Sequence, residues 1–72
     1  MSVFADRLKE CRKKKNKTQR EVAGDLGITE VGYQNYELCK NEPTMGVLNK
    51  LADYFDVSID YLTGRSDNLK RQ

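Results

Sequence analysis

Two kinds of side chain in this sequence could do chemistry: its thiols and its cations. The thiols lack a catalytic partner. The 72 residues include no His, so Cys-His, Ser-His and Asp-His pairs are all excluded. The same absence removes a zinc site of two Cys and two His. Cys11 and Cys39 are far apart in sequence and cannot close a tetrahedral site alone, so no metal is expected. They read as small free thiols, buried or half-buried, in a reducing compartment, with a disulfide between them left open. With no cofactor loop and no clustered acids either, neither an enzyme nor a cofactor is expected.

The cations are unevenly placed. Overall 13 Lys and Arg stand against 11 Asp and Glu, a net +2. Residues 1–20 hold eight basic groups, including Lys13, Lys14 and Lys15, against Asp6 and Glu10, a local +6. Residues 21–64 are at −6, and residues 65–72, with Arg65, Lys70 and Arg71 against Asp67, are at +2. A basic arm beside an acidic body fits a polyanion partner. It fits equally a solvated helix end whose lysines serve solubility.

These groups must be positioned by a single small domain, because 72 residues do not make two. A core of this size rarely supplies more than ~3–5 kcal/mol, so a neighbour or a second copy matters to stability. Apolar runs reach only two or three residues, which predicts no membrane helix. The stretch from Met1 to Asp6 has no apolar core of a signal peptide, which predicts a cytoplasmic protein.

Helical signals recur and strand signals do not. Phe4, Leu8 and Cys11 share one face of a first helix, Val3 to Lys15, whose last turn is basic as the helix dipole favours. Thr18-Gln19-Arg20-Glu21 reads as a capping box opening a second helix, with Val22, Ala23 and Leu26 inward and Gly27 stopping it. Thr29 caps a third helix, Glu30 to Glu37, with Tyr33 and Tyr36 on one face. Thr44 caps a fourth, with Leu48, Leu51, Ala52 and Phe55 inward, which Asp56-Val57 breaks. Ser58 caps a short fifth, Ile59 to Thr63, ending at Gly64; residues 65–72 are polar and expected to fray. The second and third helices, short and joined by a tight glycine turn, form a helix-turn-helix signature. Ala23 is small where two steeply crossing helices bring their backbones close.

Several motifs, taken in order, resemble the Cro and lambda-repressor type of helix-turn-helix proteins, the Xre-like bacterial regulators. They are Phe4 and Leu8 with Arg12; Thr18-Gln19 and Glu21-Val22-Ala23 through Leu26-Gly27-Ile28-Thr29; Tyr33-Gln34-Asn35-Tyr36-Glu37; Glu42-Pro43-Thr44; and Leu48 through Leu51-Ala52, Tyr54-Phe55, Val57-Ser58 and Asp60-Tyr61-Leu62. The resemblance implies an all-α, compact five-helix lambda-repressor-like domain over residues 1–64, followed by a polar tail over 65–72. It implies a transcriptional regulator, more often a repressor, that binds double-stranded DNA as a homodimer on a two-fold operator, associated with the nucleoid. Two reading helices would then lie one DNA turn apart, roughly 34–36 Å. No small-molecule ligand is evident.

The family mechanism carries onto matching positions. The third helix would enter the major groove with Glu30, Val31, Gln34 and Asn35 facing base edges, and Gly32 permitting close backbone approach. Against this, Glu30 also reads as a first-turn acid, Gln34 and Asn35 as ordinary solvent-exposed residues, and Gly32 as a tolerated helix glycine. Lys17, Thr18, Gln19, Lys40 and Asn41 would contact phosphates, with Lys13, Lys14 and Lys15 steering association. Arg12 and Glu37 match a pair that ties the first helix to the end of the third, and Ile59 matches a dimer contact. Ile59 also reads as ordinary core.

The sequence departs from the pattern at Cys39, where the family has Gly, at Val31, where many members are polar or basic, and at Tyr33, where Ile or Val is commoner. The third helix therefore has no Lys or Arg for the common contact to guanine. That predicts a site rich in A·T, or modest selectivity read from DNA shape. A different class of function also fits: a protein-interaction module, such as an antitoxin or a phage-type control protein, with DNA binding secondary.

Overall fold

A computed structural model describes residues 2–70; Met1, Arg71 and Gln72, and with them Arg71's share of the tail charge, lie outside it. Each helix begins where a short hydroxyl side chain can take up an amide that the helix itself leaves orphaned. The Ser2 hydroxyl accepts from the Ala5 amide at 3.1 Å and opens α1, Val3–Lys14. Thr18 accepts from the Glu21 amide at 3.0 Å, and the Glu21 carboxylate accepts from the Thr18 amide at 2.9 Å, so the capping box of α2, Gln19–Leu26, is complete. Thr29 caps α3, Glu30–Glu37, and Thr44 caps α4, Met45–Phe55. Ser58 caps α5, Ile59–Thr63, through the Tyr61 amide at 2.9 Å.

The helices end where the backbone turns left-handed. Gly27 at φ 73° and Gly64 at φ 84° close α2 and α5. Asp56 closes α4 at φ 54°, and Asn16 turns the chain after α1 at φ 57°. Asn and Asp tolerate this conformation better than most residues with a Cβ. The first helix stops one residue short of Lys15. The Lys15 amide bonds back to the Cys11 and Arg12 carbonyls, each at 3.2 Å, and the chain then leaves through Asn16. Cys39 is also left-handed, at φ 62°, so the position keeps the geometry that favours Gly.

The described residues form an all-α domain of five helices with no strand. α2 packs on α3, α1 on α3 and α5, and α4 on α2 and α5. Leu8, Val22, Tyr33, Leu51 and Leu62 are fully buried at the centre. Ala5, Ala23 and Ala52 are buried where helices approach. Phe4 and Phe55 reach the core only in part, as do Leu26, Ile28 and Tyr36.

Two expectations are corrected. Cys11 is buried but Cys39 is exposed, and both are free thiols. Residues 65–69, expected to fray, are bonded back onto the fold. The Arg7 guanidinium donates to the carbonyls of Tyr61 at 2.6 Å and Ser66 at 2.7 Å, and to Asp67 at 2.6 Å, while lying 4.2 Å over the Tyr61 ring. The Ser58 amide donates to the Leu69 carbonyl at 3.2 Å, which ties the same segment to the start of α5.

Candidate nucleic-acid interface

The site is built around a carboxylate. Glu37, on the last turn of α3, has a side chain only 3% exposed. It accepts from Arg12 of α1 twice, Nε at 2.8 Å and Nη2 at 3.2 Å, in the bidentate geometry that suits guanidinium to carboxylate. Its Oε1 also accepts from Gln19 Nε2 of α2 at 3.1 Å. One side chain therefore joins three helices. Burial pushes its pKa up, but the bonds from Arg12 and Gln19 help to outweigh burial and leave it below the ordinary carboxyl value. The Tyr33 hydroxyl is itself buried and makes no hydrogen bond of standard geometry. Its pKa is driven up by burial and by the charge of Glu37.

The outer face of α3 contrasts with this inner one. Glu30 and Val31 are exposed, Val31 at 64%, and Gln34 and Asn35 are half-buried. None of these four side chains enters a hydrogen bond or ion pair among the described residues. Gly32 sits beneath them for a reason of its own: a Cβ there would come 2.9 Å from Thr29 Oγ1 and press on the cap of α3. Beyond the helix, the amides of Lys40 and Asn41 donate to the Asn35 carbonyl at 2.9 and 3.4 Å. The loop folds back on α3, leaving both side chains exposed beside Asn35.

At the start of α2 the Thr18 hydroxyl and amide are both occupied by the capping box. The amides of Gln19 and Arg20, first and second in the helix, have no carbonyl to reach within it. Lys17 precedes them, but its ammonium lies 3.9 Å from Asp25 at the far end of α2. The lysines ending α1 are exposed, and Lys15 Nζ stands 4.9 Å over the Tyr54 ring of α4. Ile59, on α5, is half-buried against the core.

Sequence reasoning missed three features here. It anticipated the pairing of Arg12 with Glu37, but it counted Arg7 among the basic groups free to meet a polyanion, whereas Arg7 is engaged inside the fold. It missed the Gln19 bond to Glu37 and the Tyr54 bond to Asp25, because each joins residues whose proximity only helix packing creates. No group of three or more His, Cys, Asp or Glu among the described residues could hold a metal ion.

Two short capped helices in contact, the second with an outer polar face unpaired among the described residues, are the parts of a helix-turn-helix. The helix-turn-helix family model matches residues 8–62. The chain belongs to that family, of the Xre-like type. Among curated helix-turn-helix relatives, an uncharacterized HTH-type transcriptional regulator of Bacillus subtilis (strain 168), YqaE, is 43% identical over 68 residues, covering 94% of this chain and 59% of its own. The cryptic phage CTXphi transcriptional repressor RstR of Vibrio cholerae serotype O1 is 45% identical over 60 residues, covering 83% and 54%. The HTH-type transcriptional regulator ImmR of B. subtilis is 40% identical over 65 residues, covering 90% and 51%. The chain thus spans between half and three fifths of the length of these helix-turn-helix relatives.

Proposed function

We propose that the chain is a sequence-specific, double-stranded DNA-binding transcriptional regulator of the repressor kind. Its DNA-binding unit is residues 1–64, and it works in the cytoplasm on nucleoid DNA. The observation that carries this reading is the pair of faces of α3. The inner face is fixed to α1 and α2 through Glu37, and the outer face offers Glu30, Val31, Gln34 and Asn35 with no side-chain partner among the described residues. A helix held rigidly on one side and unsatisfied on the other suits insertion into a major groove. Gln34 and Asn35 match adenine edges, Glu30 can accept from cytosine, and Val31 can meet a thymine methyl.

Phosphate contacts come from the start of α2 and from the loop after α3. Gln19 keeps one N–H beyond the bond to Glu37, and the amides at the helix start add to it. Thr18, Lys40 and Asn41 flank the reading face, and Lys17 joins them once released from Asp25. Two copies, meeting through the α5 surface around Ile59, place two such helices on a two-fold site. The relatives named as transcriptional regulators support the class of function.

A salt titration of duplex binding tests the reading. A regulator of this kind shows a steep negative slope of log affinity against log salt. Absence of duplex affinity at ~100 mM salt, with the protein folded, removes it. Selection from random duplexes tests the reading face: sites rich in A·T agree with it, and a guanine-dominated core contacted by α3 does not.

A further inference from the structure

Lys17 and Asp25 are joined in a way the regulator reading leaves unexplained. Lys17 lies just before the cap of α2, where a phosphate would approach. Its ammonium does not point there. It lies 3.9 Å from Asp25 Oδ2, on the last turn of the same helix. The two residues are separated by roughly 10 Å of helix rise, so the lysine runs along α2 away from its amide-rich end. The carboxylate that draws it is fixed from a third element: the Tyr54 hydroxyl of α4 donates to the same Oδ2 at 2.6 Å. The face of Tyr54 in turn carries Lys15 Nζ at 4.9 Å. Both lysines nearest the start of α2 are thus engaged by one Tyr–Asp pair inside the fold.

We propose that Asp25 sets the affinity of this chain for DNA by competing with phosphate for Lys17. This rests on the reading of Lys17 as a phosphate contact. In the free protein the ammonium is paired with Asp25, and DNA takes it only by breaking that pair. Tyr54 strengthens the competition by keeping the carboxylate where Lys17 can reach it. An intramolecular anion of this kind weakens every phosphate-driven complex alike, so it lowers general attraction to DNA while leaving the base-reading face unaltered.

The test is equilibrium binding of a duplex, at ~100 mM salt, to wild type, Asp25→Asn, Lys17→Gln and the double variant. The substituted side-chain amide keeps an acceptor oxygen for Tyr54, so thermal melting of each variant should stay close to wild type. Asp25→Asn should bind about two- to fivefold more tightly, the scale of an exposed ion pair. Lys17→Gln should bind more weakly. On the Lys17→Gln background, Asp25→Asn should bring no gain. A gain of the same size on that background shows plain removal of a negative charge and overturns the proposal, as does no gain in the single variant. If wild type binds no duplex, the regulator reading itself falls, an outcome distinct from wild type binding with Asp25→Asn unchanged.

Discussion

At the scale of the residue, charge matters through what each ion faces. Glu37 is ionised in a buried place because Arg12 and Gln19 bond to it. Replacing it by Ala leaves a guanidinium that is itself mostly buried without its partner, a change that costs about 3–5 kcal/mol. Denaturant unfolding of Glu37→Ala measures this. The pH dependence follows from the direction of its shift. Its folded pKa lies below the ordinary value of 4.5, so its contribution is present above that pH and is lost as the pH falls through the folded value. Urea unfolding between about pH 3 and 6 should show the stability of wild type declining through the lower part of this range, and Glu37→Gln declining less. Cys39 illustrates backbone cost. Its φ of 62° strains a residue with a Cβ, while the Ser2 amide donates to its sulfur and the Ser2 hydroxyl shares a hydrogen bond with it, each at 3.4 Å, and both lower the thiol pKa. Cys39→Gly should raise stability by about 0.5–1 kcal/mol, relief of strain exceeding the loss of two weak bonds. A Tm increase of a few degrees in a thermal melt checks it.

At the scale of the element, the caps define the helices. Four of the five N-caps, Thr18, Thr29, Thr44 and Ser58, follow from residue type and position in the sequence, and each accepts the expected amide. The start of α1 at Val3 is expected from the sequence, but Ser2 is not singled out there as its cap, although its residue type suits the role. Two helical glycines behave differently under one substitution. Nothing lies within 4 Å of a Cβ at Gly24, so Gly24→Ala should stabilise the domain by about 0.5–1 kcal/mol through helix propensity. At Gly32 the Cβ meets Thr29 Oγ1 at 2.9 Å, so Gly32→Ala should give no such gain, the cap opposing the propensity. Parallel denaturant curves of the two variants test the contrast.

At the scale of the whole molecule, the segment after α5 closes the fold. Arg7 gathers α1, the end of α5 and residues 66 and 67 through a single guanidinium. Two of its three bonds go to carbonyls in a partly buried setting, where charge-assisted bonds count for most. Asp67, 97% exposed, adds little. Arg7→Ala should cost about 1.5–3 kcal/mol. It should also speed hydrogen exchange at the Ser58 amide, whose acceptor is the Leu69 carbonyl. Unchanged exchange there would show that the segment is held without Arg7.

The sequence by itself determined what is local: helix number and most helix limits, four of the five N-caps, the glycine stops of α2 and α5, and the tight turn between α2 and α3. Each depends on neighbours within a turn or two, where residue type and spacing carry the physics. Tertiary structure decided which charges are available. It turned Arg7 and Arg12 inward, bonded Gln19 to Glu37 across 18 positions, and set Tyr54 of α4 on Asp25 of α2. A sum of charges cannot distinguish a lysine free to meet a phosphate from one paired inside the fold. That distinction depends on which helices pack together, and helix packing brings together residues that the sequence keeps apart.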